Sequence, residues 1–288
     1  MAEFGSQQIL KPGLYVVATP IGNLGDISAR AKHVLGQVDA IACEDTRVTA
    51  KLLTANLIKK PLLAYHEHNG AVQRPKLLAM LAEGKKVALV SDAGTPLISD
   101  PGFKLVADAQ DAGHYVTAIP GPCAAIMALS LAGLPTDRFL FLGFPPNKSK
   151  ARQTWFHVER QTHASLVFYE SAKRLPDCLR DAAEVLGARE AAVCRELTKR
   201  FEEVVRGDLM TLAAHYAETG APKGEIVVVI GPPEKSVPSD AQEMDAETLL
   251  TAALKHMSVK SAAAFVAELS GVPKKQLYSR ALELSGKG

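Results

Sequence analysis

The sequence predicts two α/β domains separated by a cleft, with a small helical extension at the C-terminus, and three observations carry that reading. Short apolar runs alternate with helical patterns from residue 14 to residue 230. A proline- and serine-rich stretch, "PPEKSVPSD" at 232–240, then breaks the pattern. Beyond it the periodicity is purely helical.

The elements follow in order. "MAEFGSQQILKPG" lacks a basic start followed by an apolar stretch, so no secretory leader is expected, and residues 1–12 read as a disordered or tag-derived start. "LYVVAT" (14–19), "AIAC" (40–43), "PLLAY" (61–65), "VALVS" (87–91) and "YVTAI" (115–119) read as strands with amphipathic stretches between them. In the first such stretch Ile27, Ala31, Val34 and Leu35 recur at helical spacing until Gly36 stops the pattern. Residues 13–119 therefore read as one α/β domain on a mostly parallel sheet. "FLFLG" (139–143), "SLVFY" (165–169), "AAVCR" (191–195) and "EIVVVI" (225–230) give a second domain over 120–231, with a mixed sheet. Residues 232–240 read as a linker. In 241–288, Leu250, Ala253, Leu254 and Met257, then Ala262, Phe265, Val266 and Leu269, then Leu277, Ala281 and Leu284 mark three short helices. "SGVP" at 270–273 separates the last two, as in a helix-turn-helix module.

Composition bounds the function. With 288 residues, 47% hydrophobic and 22% charged, the chain can bury sizeable cores. Its longest apolar runs fall far short of the roughly 20 residues a membrane span needs. Cys43, Cys123, Cys178 and Cys194 lack C-x-x-C spacing and sit in apolar contexts, so they read as reduced thiols of a cytoplasmic protein. The net charge of +2 is uneven: residues 255–288 carry +4 and the rest −2.

The densest chemical signal is "SDAGTPLISDPG", Ser91 to Gly102, directly after a core strand. In a parallel sheet, ligands gather outside the carboxyl ends of the strands, so Asp92 to Thr95 read as a ligand loop. Asp100 and Pro101 read as the N-cap and first residue of the next helix. No G-x-x-x-x-G-K-[ST] and no G-x-G-x-x-G follows the strands, which excludes the common nucleotide cradles. "TPIGNLGDIS" (19–28) and "IPGPCAAIMA" (119–128) form two further loops at strand ends. "YHEH" (65–68) is the nearest approach to a metal motif, but His66 and His68 would face opposite ways on a strand, and both read as loop or surface residues.

Taken together, "VATPIGNLGDIS", "ACEDTR", "SDAGTPLISDPG", "IPGPCAAIMAL", "FLGFPP", "FYESAKRL", "CRELTKRFEE" and "KGEIVVVIG" resemble the signature blocks of the tetrapyrrole-methylase superfamily, and more closely its ribosomal branch, the small-subunit rRNA (cytidine-2′-O)-methyltransferases. The resemblance spans roughly Gly13 to Gly231, and the tail is similar to the helical extension of many members. It implies S-adenosylmethionine bound in the cleft, usually in a homodimer, and places that cofactor against Pro20, Ile21, Asp92, Ala93, Gly94, Thr95, Cys123, Ala124, Tyr169 and Glu170. It also implies substrate-side roles among Glu44, Asp45 and Arg47 of "CEDTR", Arg174 of "ESAKR", and Arg195, Glu196 and Lys199 of "CRELTK". The carboxylates could orient or deprotonate a hydroxyl and the arginines could hold phosphates; structural ion pairing is the competing role for all seven. Cys123 stands where the family usually has serine, and Ala172 and Lys173 depart from its common "FYESPHR", which argues against a histidine base at 173.

S-adenosylmethionine brings its own activation, so no metal is expected. The basic clusters "NKSKAR" (147–152), Lys199–Arg200 and the tail lysines read as solvated faces or as contacts to an RNA backbone. Trp155 and Phe156 are expected on the core face of a helix. The function expected is 2′-O-ribose methylation of a cytidine in small-subunit rRNA, within the assembled subunit. A tetrapyrrole-precursor methyltransferase and a non-catalytic nucleic-acid-binding protein are the alternatives.

Overall fold

A computed structural model of the chain describes residues 9–233 and 240–285. Residues 1–8 of the expected N-terminal start and 234–239 of the expected linker lie outside the described residues. The chain divides into two units, with the boundary between Pro233 and Glu234.

The first unit opens with β1 (Gly13–Val17), α1 (Ala29–Gln37), β2 (Ala40–Cys43), α2 (Thr46–Ala55), β3 (Leu62–Ala64), α3 (Gly70–Ala82), β4 (Lys86–Val90), α4 (Phe103–Asp111), β5 (Val116–Ile119) and α5 (Ala124–Leu131). The five strands form a parallel sheet in the order β3-β2-β4-β1-β5. Both faces are covered, which is why its strands read as continuous apolar runs. Val17, Ile41, Cys43 and Val90 pack with Ala31, Val34 and Leu35 of α1 on one face. Leu14, Ala42, Val87 and Leu89 pack with Leu77 and Leu81 of α3 and Leu105 of α4 on the other. Neighbouring strands β1 and β4 thus send their chains to opposite faces, and the divergence opens a crevice at their carboxyl ends.

The unit continues through β6 (Phe139–Phe141), α6 (Ser149–Val158), β7 (Ser165–Ser171), α7 (Leu175–Leu186), β8 (Glu190–Arg195), β9 (Glu203–Asp208), α8 (Leu209–Thr219) and β10 (Glu225–Ile230). Its sheet runs β6-β7-β10-β8-β9; β6 and β7 are parallel and the other pairings antiparallel, the mixed sheet that the sequence predicts. Strand β9 is missing from the sequence reading. It is an edge strand, half-exposed along much of its length, and its charged "EVVRGD" carries too few apolar residues to stand out from the preceding loop. Helix α5 lays Ala125, Ala128 and Leu129, with Ala132 at its C-cap, on the face that carries Val167, Cys194 and Val227. Phe156 of α6, Leu175 and Leu179 of α7 and Leu212 of α8 fill the other face. Phe156 is fully buried there with Trp155 against it, as expected.

Two sequence expectations need correction. Asp100 and Pro101 do not start α4: its N-cap is Gly102, at φ 137, after Leu97 and Ser99 have already taken positive φ. A chain in those conformations cannot run straight into a helix, and a Cβ on Gly102 would lie 2.9 Å from Leu89. Nor is Arg152 of "NKSKAR" a surface cation. Its guanidinium pairs with Asp181 of α7 at 2.5 Å, the two side chains being 3% and 2% exposed, and Ser149 donates to the same carboxylate at 2.9 Å.

In the second unit α9 (Asp240–Leu254), α10 (Val259–Ser270) and α11 (Lys274–Leu284) enclose a small core of Leu250, Ala253, Ala262, Val266, Leu277 and Ala281. Ser258 caps α10, and Gly271, left-handed at φ 72, ends it before the turn to α11. No helix among the described residues is long and apolar enough to cross a membrane.

Removing one partner of a buried ion pair strands the other charge. Asp181→Ala is expected to cost about 3–5 kcal/mol of stability, read from urea unfolding; a loss under about 1 kcal/mol, the level of an exposed pair, would show that Arg152 is not dependent on it.

Candidate functional site

The crevice at β1 and β4 is fastened by main-chain hydrogen bonds. Thr19 N–H donates to Gly94 O at 2.8 Å and Gly94 N–H to Thr19 O at 3.1 Å, an isolated antiparallel bridge between the two strand-end loops. Gly94 sits at φ 87, where a side chain would be strained and its Cβ would lie 3.3 Å from Ile21. The Thr19 hydroxyl donates to Ser91 O at 3.2 Å, and the Thr95 hydroxyl to Pro122 O at 2.9 Å, which brings in the third loop.

Above this floor lies a hollow of about 460 Å3, walled on the far side by β7, the start of β10 and the segments that follow β6, β7 and β8. Its size falls in the ordinary range of small-ligand sites. Ile21, Ala93, Gly94, Thr95, Cys123, Ala124, Tyr169 and Glu170 all line it, eight of the ten residues expected around a cofactor. Pro20 and Asp92 stand just outside. Asp92 instead accepts the Asp45 N–H at 3.0 Å and so ties the "CEDTR" loop to its neighbour. Tyr169 stacks edge-on with Phe141 and Phe144 at 5.0 and 5.4 Å, and burial pushes its hydroxyl pKa up.

The seven residues expected on the substrate side are spread out. Of these Arg174 alone enters the wall, where it bonds Pro145 O at 2.5 Å and Glu170 at 3.1 Å. Arg195 pairs with Glu203 at 3.0 Å and reaches Lys223 O at 3.2 Å. Lys199 joins Glu196 at 2.9 Å to Glu225 at 2.8 Å, and Glu225 lines the hollow. Backbone donation from Glu225, then Lys199, holds the Glu196 carboxyl below its ordinary range. Asp45 caps α2 and grips Arg47, whose hydrogen bonds hold the Asp45 carboxyl down to about 2; the Arg47 side chain is 85% exposed. Glu44 faces a second hollow, of about 510 Å3, together with Tyr65, His66, His68 and Arg74. Burial, then the nearby Asp92, raises its carboxyl pKa. No group of three or more His, Cys, Asp or Glu among the described residues could hold a metal ion.

Sequence reasoning missed Ser99 and Asp100, which stand in the walls of both hollows, and Phe144, which lines the first. Asp100 is half-buried, and desolvation pushes its carboxyl up to about 6 against the Ser91 hydrogen bond, with Glu44 and Asp92 adding to the rise. No spacing in the sequence marks it, because the positive φ of Leu97 and Ser99 that sets its position is a property of the folded loop.

Comparison with known proteins gives a consistent result. Residues 13–213 match the family of tetrapyrrole (corrin/porphyrin) methylases, and residues 240–285 match the RsmI C-terminal HTH domain. The chain is 54% identical to ribosomal RNA small subunit methyltransferase I of Erythrobacter litoralis, over 97% of this chain and 98% of that one. It is 49% identical to the protein of the same name from Mesorhizobium japonicum, over 97% and 95%. Among solved structures, cobalt precorrin-4 methyltransferase, a cobalamin biosynthetic enzyme, superposes with a TM-score of 0.55 at 17% identity, over 76% of this chain and 94% of that one, a likeness of fold alone.

Because the folded-state pKa of Asp100 is raised from 3.8 to about 6, its favourable contribution is complete below pH 3.8 and is lost as pH rises through 6. Asp100→Asn is therefore expected to be more stable than the parent at pH 8 and to lose that advantage by about pH 4. Equal urea midpoints at pH 8 would show that the ionised carboxylate carries no desolvation penalty.

Proposed function

The chain belongs to the family of tetrapyrrole (corrin/porphyrin) methylases, and from that membership we propose that it uses S-adenosylmethionine to methylate the ribose 2′-hydroxyl of a cytidine in small-subunit rRNA. The observation that carries the reading is likeness along the whole chain to relatives named for that rRNA, tail included. The precorrin enzyme, by contrast, shares 76% of the chain. We place the activity in the cytoplasm, in a homodimer acting on the assembled subunit.

The first hollow suits the donor. Ile21, Ala93, Cys123, Ala124 and Val227 offer apolar walls to a nucleoside and a thioether chain, while Asp100, Glu170 and Glu225 give the lining carboxylates, the charge that a sulfonium and an ammonium attract. Pro20 and Asp92 support the loops that hold it. When bound, S-adenosylmethionine supplies an electrophilic methyl group, and the sulfur keeps the electron pair of the bond that breaks. The protein's share is positioning and desolvation. Thr19, Gly94 and Thr95 fix the donor-side loops; Arg174 holds Glu170 in place within the opposite wall. On the substrate side, Arg47 is exposed enough to meet a phosphate, and Glu44 is raised in pKa and close to the site. The Glu196–Lys199–Glu225 network and Arg195 act by shaping the wall.

Titration calorimetry with S-adenosylmethionine should give saturable heat at sub-millimolar ligand; none would favour a non-catalytic binding protein. Labelled methyl donor offered with small subunits, naked rRNA and uroporphyrinogen should label the assembled particle at the 2′-oxygen of a cytidine. Label in the porphyrinoid alone would overturn the RNA assignment.

A further inference from the structure

The second hollow is unassigned by anything above, and its position is informative. It shares the wall made by Ser99 and Asp100 with the donor hollow, so a group held against that wall adjoins that site. Its volume, about 510 Å3, is that of a small-ligand site. Its chemistry differs from its neighbour's. Glu44, His66 and Arg74 provide hydrogen-bonding groups, and the His66 Nδ1 is buried with no hydrogen-bond partner. At its rim Phe103, the first residue of α4, is 65% exposed, so its ring is open to contact from outside. The Lys104 ammonium lies 5.7 Å from the Phe103 ring centroid and makes no ion pair among the described residues. An exposed aromatic ring beside a free cation, at the mouth of a polar hollow, is the arrangement that takes a base by stacking and its phosphate by charge. The backbone that presents Asp100 is strained, with Leu97 at φ 76 and Ser99 at φ 64, as is common where a fold fixes a side chain for use.

We propose that this second hollow receives the acceptor nucleotide extruded from its RNA strand, the base stacking on Phe103, the flanking phosphate meeting Lys104, and the 2′-hydroxyl directed at the Asp100 carboxylate in the shared wall. The proposal rests on the rRNA reading and adds its substrate-side geometry. Asp100 accepts the hydroxyl proton as the oxygen–methyl bond forms and sulfur retains the electron pair of the carbon–sulfur bond. A cationic donor and a carboxylate thus become a neutral thioether and a carboxylic acid, and charge balances. A carboxyl titrating near 6 is suited to that task at neutral pH.

The test uses the full chain and small ribosomal subunits lacking the modification, with particle binding measured in the absence of methyl donor. Phe103→Ala should weaken particle binding about tenfold, the scale of one lost base stack, while Phe103→Tyr restores it and donor affinity by calorimetry is unchanged in both. Asp100→Asn should bind the particle within about twofold of the parent yet, at donor concentrations that calorimetry shows to be saturating for the variant, transfer methyl at least about a hundredfold more slowly in a single turnover. Unaltered particle binding by Phe103→Ala, equal weakness of the alanine and tyrosine variants, or single-turnover transfer by Asp100→Asn within about tenfold of the parent would each overturn the proposal while leaving the rRNA activity in place. A parent chain that neither binds nor labels the particle sinks both.

Discussion

Two main-chain hydrogen bonds, between Thr19 and Gly94, fix the geometry on which the site depends. They join the ends of β1 and β4, adjacent strands whose chains leave for opposite faces of the sheet. Without that tie the two loops would be free to spread, because nothing in a parallel ladder extends past its last paired residue. With it, Ile21 and Ala93 are held as one floor, and the third loop is drawn in through the Thr95 hydroxyl. Main-chain bonds make this fastening nearly independent of side-chain identity, apart from the glycine whose positive φ allows it. That is consistent with Cys123 standing in the wall: its side chain makes no cap hydrogen bond to α5, so a thiol there leaves the backbone path unaltered.

The charges around the hollow are organised as pairs. Arg174, Arg195 and Lys199 each engage carboxylates, and Arg174 and Arg195 also reach main-chain oxygens. Their cost in desolvation is offset locally, and they stiffen the far wall rather than present free charge. The carboxylates Glu44 and Asp100 are the opposite case. Each has a raised pKa chiefly because burial disfavours the ion; the Asp92 charge adds to both, and Glu44 adds to the rise at Asp100. Mutual repulsion between neighbouring acids is tolerated in a fold when a cation is to be accommodated or a proton to be taken up.

Much of the fold was legible in the sequence because fully buried parallel strands leave unbroken apolar runs, and amphipathic helices leave a periodic stripe. Strand β9 escaped because an edge strand need bury no residue fully, and its two valines, flanked by Glu203 and Arg206, are too short a run to stand out. At the site, glycine and proline placement after strands made the three loops legible and marked Asp92 to Thr95 for a ligand, while Ile21, Cys123 and Ala124 were legible as site residues only through the family resemblance. Asp100 was read as a cap because Asp-Pro before an apolar stretch ordinarily starts a helix. The competing fact, positive φ at Leu97 and Ser99, belongs to tertiary packing and has no signature in residue type. The burial of Arg152 was illegible for a related reason: its partner Asp181 is on another helix, and a pair formed at long range leaves no spacing to read.

Ser99 and Asp100 occupy a wall common to two hollows. A replacement in this short segment alters the outline of both chambers simultaneously, so neither can drift in shape while the other stays still. The partition is thus a mechanical coupling: a side chain exchanged there for a bulkier or a smaller one is felt on both of its sides at once.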